Sequence, residues 1–579
     1  MSSNGSPAPD APDRQWWKEA VVYQVYPRSF NDSDGDGVGD IPGITERVGY
    51  LDALGVDAVW LCPVYESPQA DNGYDISDYR SIAPEFGTMD DWEALLEELH
   101  ARDMRLLMDL VVNHTSDEHE WFRRSRRRAG GYDEYYYWRD GGENEAGEPT
   151  PPNNWGSFMG GPAWTYDEVR EQWYLHLFDE KQPDLNWRNP DVRDEVASLV
   201  NWWLEKGIDG FRIDAINYIS KPEGLPDGTA SREPTGIEVF SHGPRIHEYL
   251  RELYERTFAN YDAVTVAEMA DTTVDMAGEY LGADGDGLDT IFHFEHMDVD
   301  VGPRGRWDHE GWGEWSLPEF KRIMSRWQTR LQGWNAQYLG NHDQPRIVSR
   351  FGDDDEYRKE SAKLLATFLL TTRGTPFVYQ GEEIGMTNDD FGSPEELDDP
   401  MTIGAVEDHI AAGNADSYDD LRAFVNYLSR DPARTPMQWD ATEHAGFSEA
   451  EPWFAVNENY PEINVEAARA EEDSVWHHYR RLVELRHDED VLVYGDYDLL
   501  LPDDEQVYAY TRTLADERVL VVLNWSDEAA QVDLEDADTD ADRNLDVTDL
   551  TVLIANRDGS AARPIQREFR PYEAVVYRC

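Results

Sequence analysis

Eight short, near-continuous apolar runs recur between residues 21 and 379, and they restrict the fold more than any other feature. They run from Val21 to Tyr26, Ala58 to Val64, Arg105 to Val112, Gly210 to Ala215, Val264 to Met269, Thr290 to Phe294, Asn335 to Leu339 and Thr375 to Tyr379. Runs without polar alternation suit strands covered on both faces, as in a parallel sheet. Helical patterns separate them. Trp92, Leu95, Leu96 and Leu99 repeat at i, i+3, i+4 and i+7, and Thr88 with Asp91 has capping-box spacing. Strand alternating with helix predicts an α/β chain folded as a (β/α)8 TIM barrel; a doubly wound open sheet is the competing arrangement.

The runs are unevenly spaced. Residues 116–188, rich in Tyr, Trp, Gly and Asn, are too many for a loop and predict an inserted subdomain after strand three, over the barrel mouth. From residue 499 the pattern changes to alternation, as in Gln506 to Tyr510, Arg518 to Leu523 and Ala574 to Tyr577. That predicts a C-terminal antiparallel β-domain, a small sandwich over 499–579. The barrel is expected over 15–115 and 189–498, with a flexible Pro/Ser/Asp-rich tail at 1–14.

The 579 residues hold 119 Asp and Glu against 51 Lys and Arg, a formal net charge of −68. Nucleic acid and anionic membranes would be repelled and are excluded as partners. The acids are dispersed, and only seven cations are lysines: Lys18, Lys181, Lys206, Lys221, Lys321, Lys359 and Lys363. Dispersed acid with few lysines fits a halophile, since at 1 M salt a Debye length of about 3 Å screens the repulsion; an acidic mesophilic enzyme is the alternative. Cys62 and Cys579 cannot build a disulfide framework, and the first residues lack a secretory apolar segment. The expectation is a cytoplasmic protein, a monomer or small homo-oligomer.

Three carboxylates close apolar runs: Asp214, Glu268 and Asp343. Acid groups at strand ends are what a barrel enzyme gathers over one substrate. Arg212 lies two residues before Asp214 and shares its side of a strand, so it should keep that carboxylate charged as a nucleophile. Burial and neighbouring anions should keep Glu268 protonated as an acid, while Asp343 beside His342 would supply negative charge. In the run from Asp32 to Asp40, Asp32, Asp34, Asp36 and Asp40 alternate with turn glycines like a calcium loop, although a solvated acidic run is the other reading. Asp538, Asp540 and Asp542 alternate similarly within 536–549 and read better as an acidic surface loop.

These residues resemble the α-amylase superfamily, glycoside hydrolase family 13, in its oligo-1,6-glucosidase and α-glucosidase branch. The resemblance runs from Trp16 to the last strand. It adds the run Asp109-Leu-Val-Val-Asn-His114, the branch string Gln182-Pro-Asp-Leu-Asn186, and Ala433-Arg-Thr-Pro-Met-Gln-Trp439. It implies Asp214 as nucleophile, Glu268 as general acid/base and Asp343 as transition-state stabiliser, with retention through a covalent glycosyl-enzyme. It also implies that Asp71, Tyr74, His114, Arg212, His342 and Arg434 line the subsite for the cleaved glucose, with Phe178 and Gln182 as pocket wall. A structural Ca2+ or Mg2+ would sit on Asp32, Asp34, Asp36, Asp40 and the Val38 carbonyl, with no organic cofactor.

In that branch the residue after the nucleophile tracks linkage, Val accompanying α-1,6 and Ala or Thr α-1,4 cleavage. Ala215 therefore implies an α-glucosidase favouring α-1,4 bonds such as that of maltose, with some α-1,6 or sucrose activity, and a pocket blocked behind the non-reducing glucose would make it exo-acting on short oligosaccharides. The alternatives are an oligo-1,6-glucosidase, a trehalose-6-phosphate hydrolase, and a transglycosylating sucrose isomerase or trehalose synthase. Isomerases carry an Arg/Asp-rich loop where this chain reads Ser349-Arg-Phe-Gly-Asp353, which resembles the hydrolases. A catalytically dead, transporter-associated barrel needs a membrane anchor and a degraded triad.

Overall fold

The computed structural model describes residues 13–144, 146–281, 287–308, 310–532, 534, 550–559 and 568–579. The expected tail, apart from residues 13 and 14, and the acidic stretch 536–549 lie outside the described residues. Arg14 is already anchored, paired with Glu19 at 2.7 Å and with Asp490.

Eight parallel strands close into a barrel. They are β1 (Val22–Val25), β2 (Ala58–Leu61), β3 (Arg105–Val111), β4 (Gly210–Asp214), β5 (Val264–Met269), β6 (Thr290–His293), β7 (Trp334–Gln337) and β8 (Thr375–Tyr379). Val22 of β1 registers with Phe377 of β8 on one side and Ala58 of β2 on the other. That double pairing closes the ring and removes the open-sheet alternative. Aromatic rings fill the interior: Phe292 lies 5.7 Å from Trp60 and 4.6 Å from Phe377, centroid to centroid.

The helix signals operate as written. α1 (Ile41–Leu54) starts on the Asp40 side chain, which accepts from the Gly43 N–H, and ends at Gly55, whose φ of 93° suits a residue without Cβ. In α2 (Met89–His100) Thr88 and Asp91 form the reciprocal capping box, and Trp92, Leu95, Leu96 and Leu99 are all buried. Each such side chain contributes roughly 1.5–3 kcal/mol by leaving water.

Over the barrel mouth, the strands Trp138–Arg139, Gln172–Leu175 and Trp164–Asp167 form a three-stranded antiparallel sheet. Two anchors tie this insertion down. His114 bridges to Asp184, and Asp184 pairs at 2.5 Å with Lys221 from the loop after β4, both side chains fully buried.

The C-terminal region is antiparallel: β9 (Asp496–Leu500), β10 (Val507–Leu514), β11 (Glu517–Asn524), β12 (Thr551–Ala555) and β13 (Ala574–Arg578) form one sheet in the order β9-β10-β11-β13-β12. Val507, Leu520, Val522 and Val575 pack with Ala530 and Phe569 of a two-stranded sheet on one side. Tyr508, Tyr510 and Val521 join the barrel core on the other. Lys321, on the helix Leu317–Arg330, is fully buried and donates to the carbonyls of Leu501, Asp504 and Val507 at 2.7, 2.6 and 3.0 Å. Among the described residues no helix is long and apolar enough to cross a membrane.

Candidate active site

Asp214 ends β4 and Glu268 is the penultimate residue of β5, so adjacent parallel strands carry both to the C-terminal rim. One guanidinium holds them together. Arg212, 1% exposed, places Nη1 2.7 Å from Asp214 and 3.0 Å from Asp109, while Nη2 lies 2.6 Å from Glu268. The Ala215 N–H adds a 3.1 Å bond to the other Glu268 oxygen. Ala215 donates it from a left-handed backbone, φ 44° and ψ 34°.

Arg212 is therefore not reserved for Asp214. Burial pushes both Asp214 and Glu268 up to about 7; Arg212 opposes the rise, and the carboxylates press on one another. The fully buried Asp109 is pushed up to about 6, again chiefly by burial, and accepts from Trp60 Nε1 at 3.0 Å and Tyr74 OH at 3.1 Å. The expectation that Arg212 alone keeps Asp214 ionised gives way to a shared proton, because one cation faces three acids.

Asp343 arrives differently. β7 stops at Gln337, and five residues intervene before Asp343, whose N–H bonds the Asn341 side chain at 2.8 Å. It is a loop residue, not a strand end. Its Oδ1 accepts from Arg430 at 3.0 Å and Arg434 at 2.9 Å, and its Oδ2 lies 3.2 Å from His342 Nε2. Burial would raise this carboxyl, but His342, Arg430 and Arg434 overcome it and hold Asp343 well below the usual carboxylate range. Two carboxyls near neutrality beside one kept anionic is the division of labour that glycoside cleavage needs.

A cleft of about 880 Å3 opens above, and Asp71, Tyr74, His114, Phe178, Asp214, Ala215, Glu268 and Asp343 all face it. Gln182, Arg212, His342 and Arg434 are buried behind that wall. Gln182 steers two wall residues, its amide nitrogen lying 3.0 Å from Asp71 and 3.1 Å from His114. Tyr74 stacks flat on His342, 5.2 Å between centroids. Arg434 backs Asp343 and the His342 carbonyl instead of reaching Asp71. The cation nearest Asp71 is Arg430, at 3.5 Å, which also lines the cleft and grips buried Asp399. Arg430 was not read from the sequence, although Arg430 and Arg434 lie one helical turn apart in the short helix Asp431–Arg434 and its N-cap.

In the acidic loop, Asp32, Asp34 and Asp40 each offer an oxygen within 4.8 Å of the others. The Asp36 carboxylate instead accepts the N–H of Val38 at 2.8 Å. Asp40 is shared with the α1 N-terminus. Hard oxygen donors around a glycine turn suit Ca2+ or Mg2+, with the remaining ligands drawn from carbonyls and water.

A model of the α-amylase catalytic domain matches residues 24–495, and one of the maltogenic amylase C-terminal domain matches 497–551. The chain belongs to the α-amylase family. It is 50% identical to the oligo-1,6-glucosidase of Parageobacillus thermoglucosidasius, over 98% of this chain and 99% of that one. It is 45% identical to the trehalose-6-phosphate hydrolase of Bacillus subtilis, over 97% and 98%. Among solved structures, the isomaltulose synthase of Klebsiella sp. LX3 superposes with a TM-score of 0.92 at 42% identity, over 98% and 100%. The family and its fold make this a family 13 glycoside hydrolase.

Proposed function

We propose that the cleft hydrolyses terminal α-linked glucose from short, uncharged oligosaccharides with retention of configuration. The observation that carries this is the single guanidinium of Arg212 on both Asp214 and Glu268. Retention calls for nucleophile and acid carboxyls about 5–5.5 Å apart, and a shared guanidinium favours such closeness. Asp214 attacks the anomeric carbon as Glu268 protonates the departing oxygen, which leaves a glucosyl ester on Asp214. Glu268, now ionised, takes a proton from water, and the hydroxyl displaces Asp214. Asp343, held anionic, bears against the cationic sugar in both steps.

Charge argues for a neutral substrate. Arg232, Arg304, Arg306, Arg350 and Arg430 line the cleft against Asp71, Asp214, Glu233, Glu268, Asp271, Asp298, Asp343 and Asp408, five cations to eight acids. That excess disfavours a sugar phosphate. Ala215 facing the cleft leaves room for an α-1,4-linked partner, a difference worth about 1–3 kcal/mol, so α-1,6 bonds and sucrose are slower substrates. Maltose, isomaltose, sucrose, trehalose and trehalose 6-phosphate, compared in about 3 M KCl to screen the acidic surface, test this. Maltose should be fastest, with glucose the product; hydrolysis of trehalose 6-phosphate alone would overturn the assignment.

The Asp32–Asp40 loop is proposed to hold a structural Ca2+ or Mg2+. EDTA should then lower the melting temperature and excess Ca2+ restore it, whereas melts indifferent to both would exclude the ion. The dispersed acid supports a halophilic enzyme. The two unpaired cysteines, Cys62 and Cys579, support a reducing cytoplasm, with the chain a monomer or small homo-oligomer.

A further inference from the structure

Gln24 lies within β1, 1% exposed, and its side chain ends against the loop that carries Asp343. Its amide nitrogen is 2.8 Å from Nδ1 of His342 and 3.2 Å from the Cys62 thiol. The imidazole is held between Tyr74, stacked at 3° between planes, and Tyr26, at 17° and 5.9 Å. Two rings fix its plane. They do not decide which nitrogen carries the proton.

The surrounding charges decide it. Asp343 is anionic because Arg430 and Arg434 both donate to its Oδ1. His342 Nε2 lies 3.2 Å from Oδ2 and has no hydrogen-bond partner among the described residues. A bare lone pair there would face a carboxylate and repel it; a proton there is attracted. With the single proton of a neutral imidazole on Nε2, Nδ1 is left as an acceptor, and the nitrogen end of the Gln24 amide must face it. The second amide hydrogen then points at Cys62 Sγ, a weak acceptor that keeps the amide from turning over.

We infer that Gln24 is a positioning residue that locks His342 as its Nε2–H tautomer. Nε2–H then lies beside Asp343 Oδ2 and, from behind the cleft wall, helps hold that carboxylate in place for the sugar. The tautomer rests on geometry alone; only its catalytic effect rests on the glycosidase reading.

Gln24→Leu removes the donor, and losing one such bond should lower kcat/KM roughly ten- to a hundredfold at every pH. Gln24→Met takes its place if the leucine variant melts below the assay temperature. Gln24→Glu separates a relay from mere packing. The introduced carboxyl donates to Nδ1 when protonated and draws the proton to Nδ1 when ionised. Its deficit against wild type should therefore shrink as pH falls from 8 to 5. A pH-independent deficit in Gln24→Glu, or Gln24→Leu within about twofold of wild type, would overturn the role. Nitrogen shifts of His342 in 15N-histidine protein, read without substrate, should show a bare Nδ1 in wild type and a mixture in Gln24→Leu. A protonated Nδ1 in wild type sinks the inference. A wild type that cleaves no α-glucoside, yet shows the bare Nδ1, sinks only the functional reading.

Discussion

Arg212 brings one positive charge to three carboxylates, so near neutral pH the cluster retains a proton. Activity requires that proton on Glu268 and not on Asp214. With both groups pushed up to about 7, chiefly by burial, kcat/KM should trace a bell centred near neutrality. The acid limb reports a proton gained by Asp214, the alkaline limb the proton lost from Glu268. A profile flat from pH 5 to 9 would contradict the shared proton. Glu268→Gln should lower kcat/KM for maltose by about 10^2- to 10^4-fold, and far less for a nitrophenyl glucoside whose leaving group needs no proton, because kcat/KM does not include the later hydrolysis of the ester. Equal losses on both would remove Glu268 from the acid role. Asp214 and Glu268 were legible because each ends or nearly ends a buried strand, and strand ends can be read locally. Arg430 was not legible, since its place beside Asp71 comes from a contact across 359 residues that no local pattern encodes.

Among the elements, the insertion over the barrel mouth depends on a buried pair. Lys221 reaches Asp184 at 2.5 Å and Asn113 at 3.0 Å, so it links the loop after β4 to β3's extension and to the insertion. Lys221→Met leaves Asp184 charged and unpaired in the interior, which should cost about 3–5 kcal/mol of stability. Calorimetry or a denaturant melt measures it. A loss below about 1 kcal/mol would mean that water reaches the pair. The barrel strands were legible as runs because both faces are covered. The seventh run overruns its strand: Tyr338 and Leu339 look like strand continuation, but β7 ends at Gln337, and those two bury side chains on the way into the catalytic loop. Apolarity records burial and not hydrogen bonding, so it overruns strand ends.

The whole molecule carries −68 formal charges over 23402 Å2 of surface. Its surface pairs, such as Lys359 with Glu471 and Arg123 with Glu118, are exposed on both sides, where each is worth about 0–1 kcal/mol. They cannot offset the repulsion, which falls as the Debye length shrinks from about 10 Å at 0.1 M salt to 3 Å at 1 M. The melting temperature should therefore climb steeply between dilute buffer and molar KCl. Thermal melts differing by less than about 2 °C across that range would remove the halophilic reading, because about 2–3 kcal/mol already moves a chain of this size by roughly that much. Lys321 adds a different constraint. Its ammonium is met by three carbonyls that lie 180 to 186 residues further along the chain. A growing polypeptide reaches them only after every barrel strand has left the ribosome. The barrel domain therefore waits, unfinished, for the last eighth of the chain's synthesis, and truncation between Tyr379 and Leu501 strands a cation beneath eight otherwise complete strands.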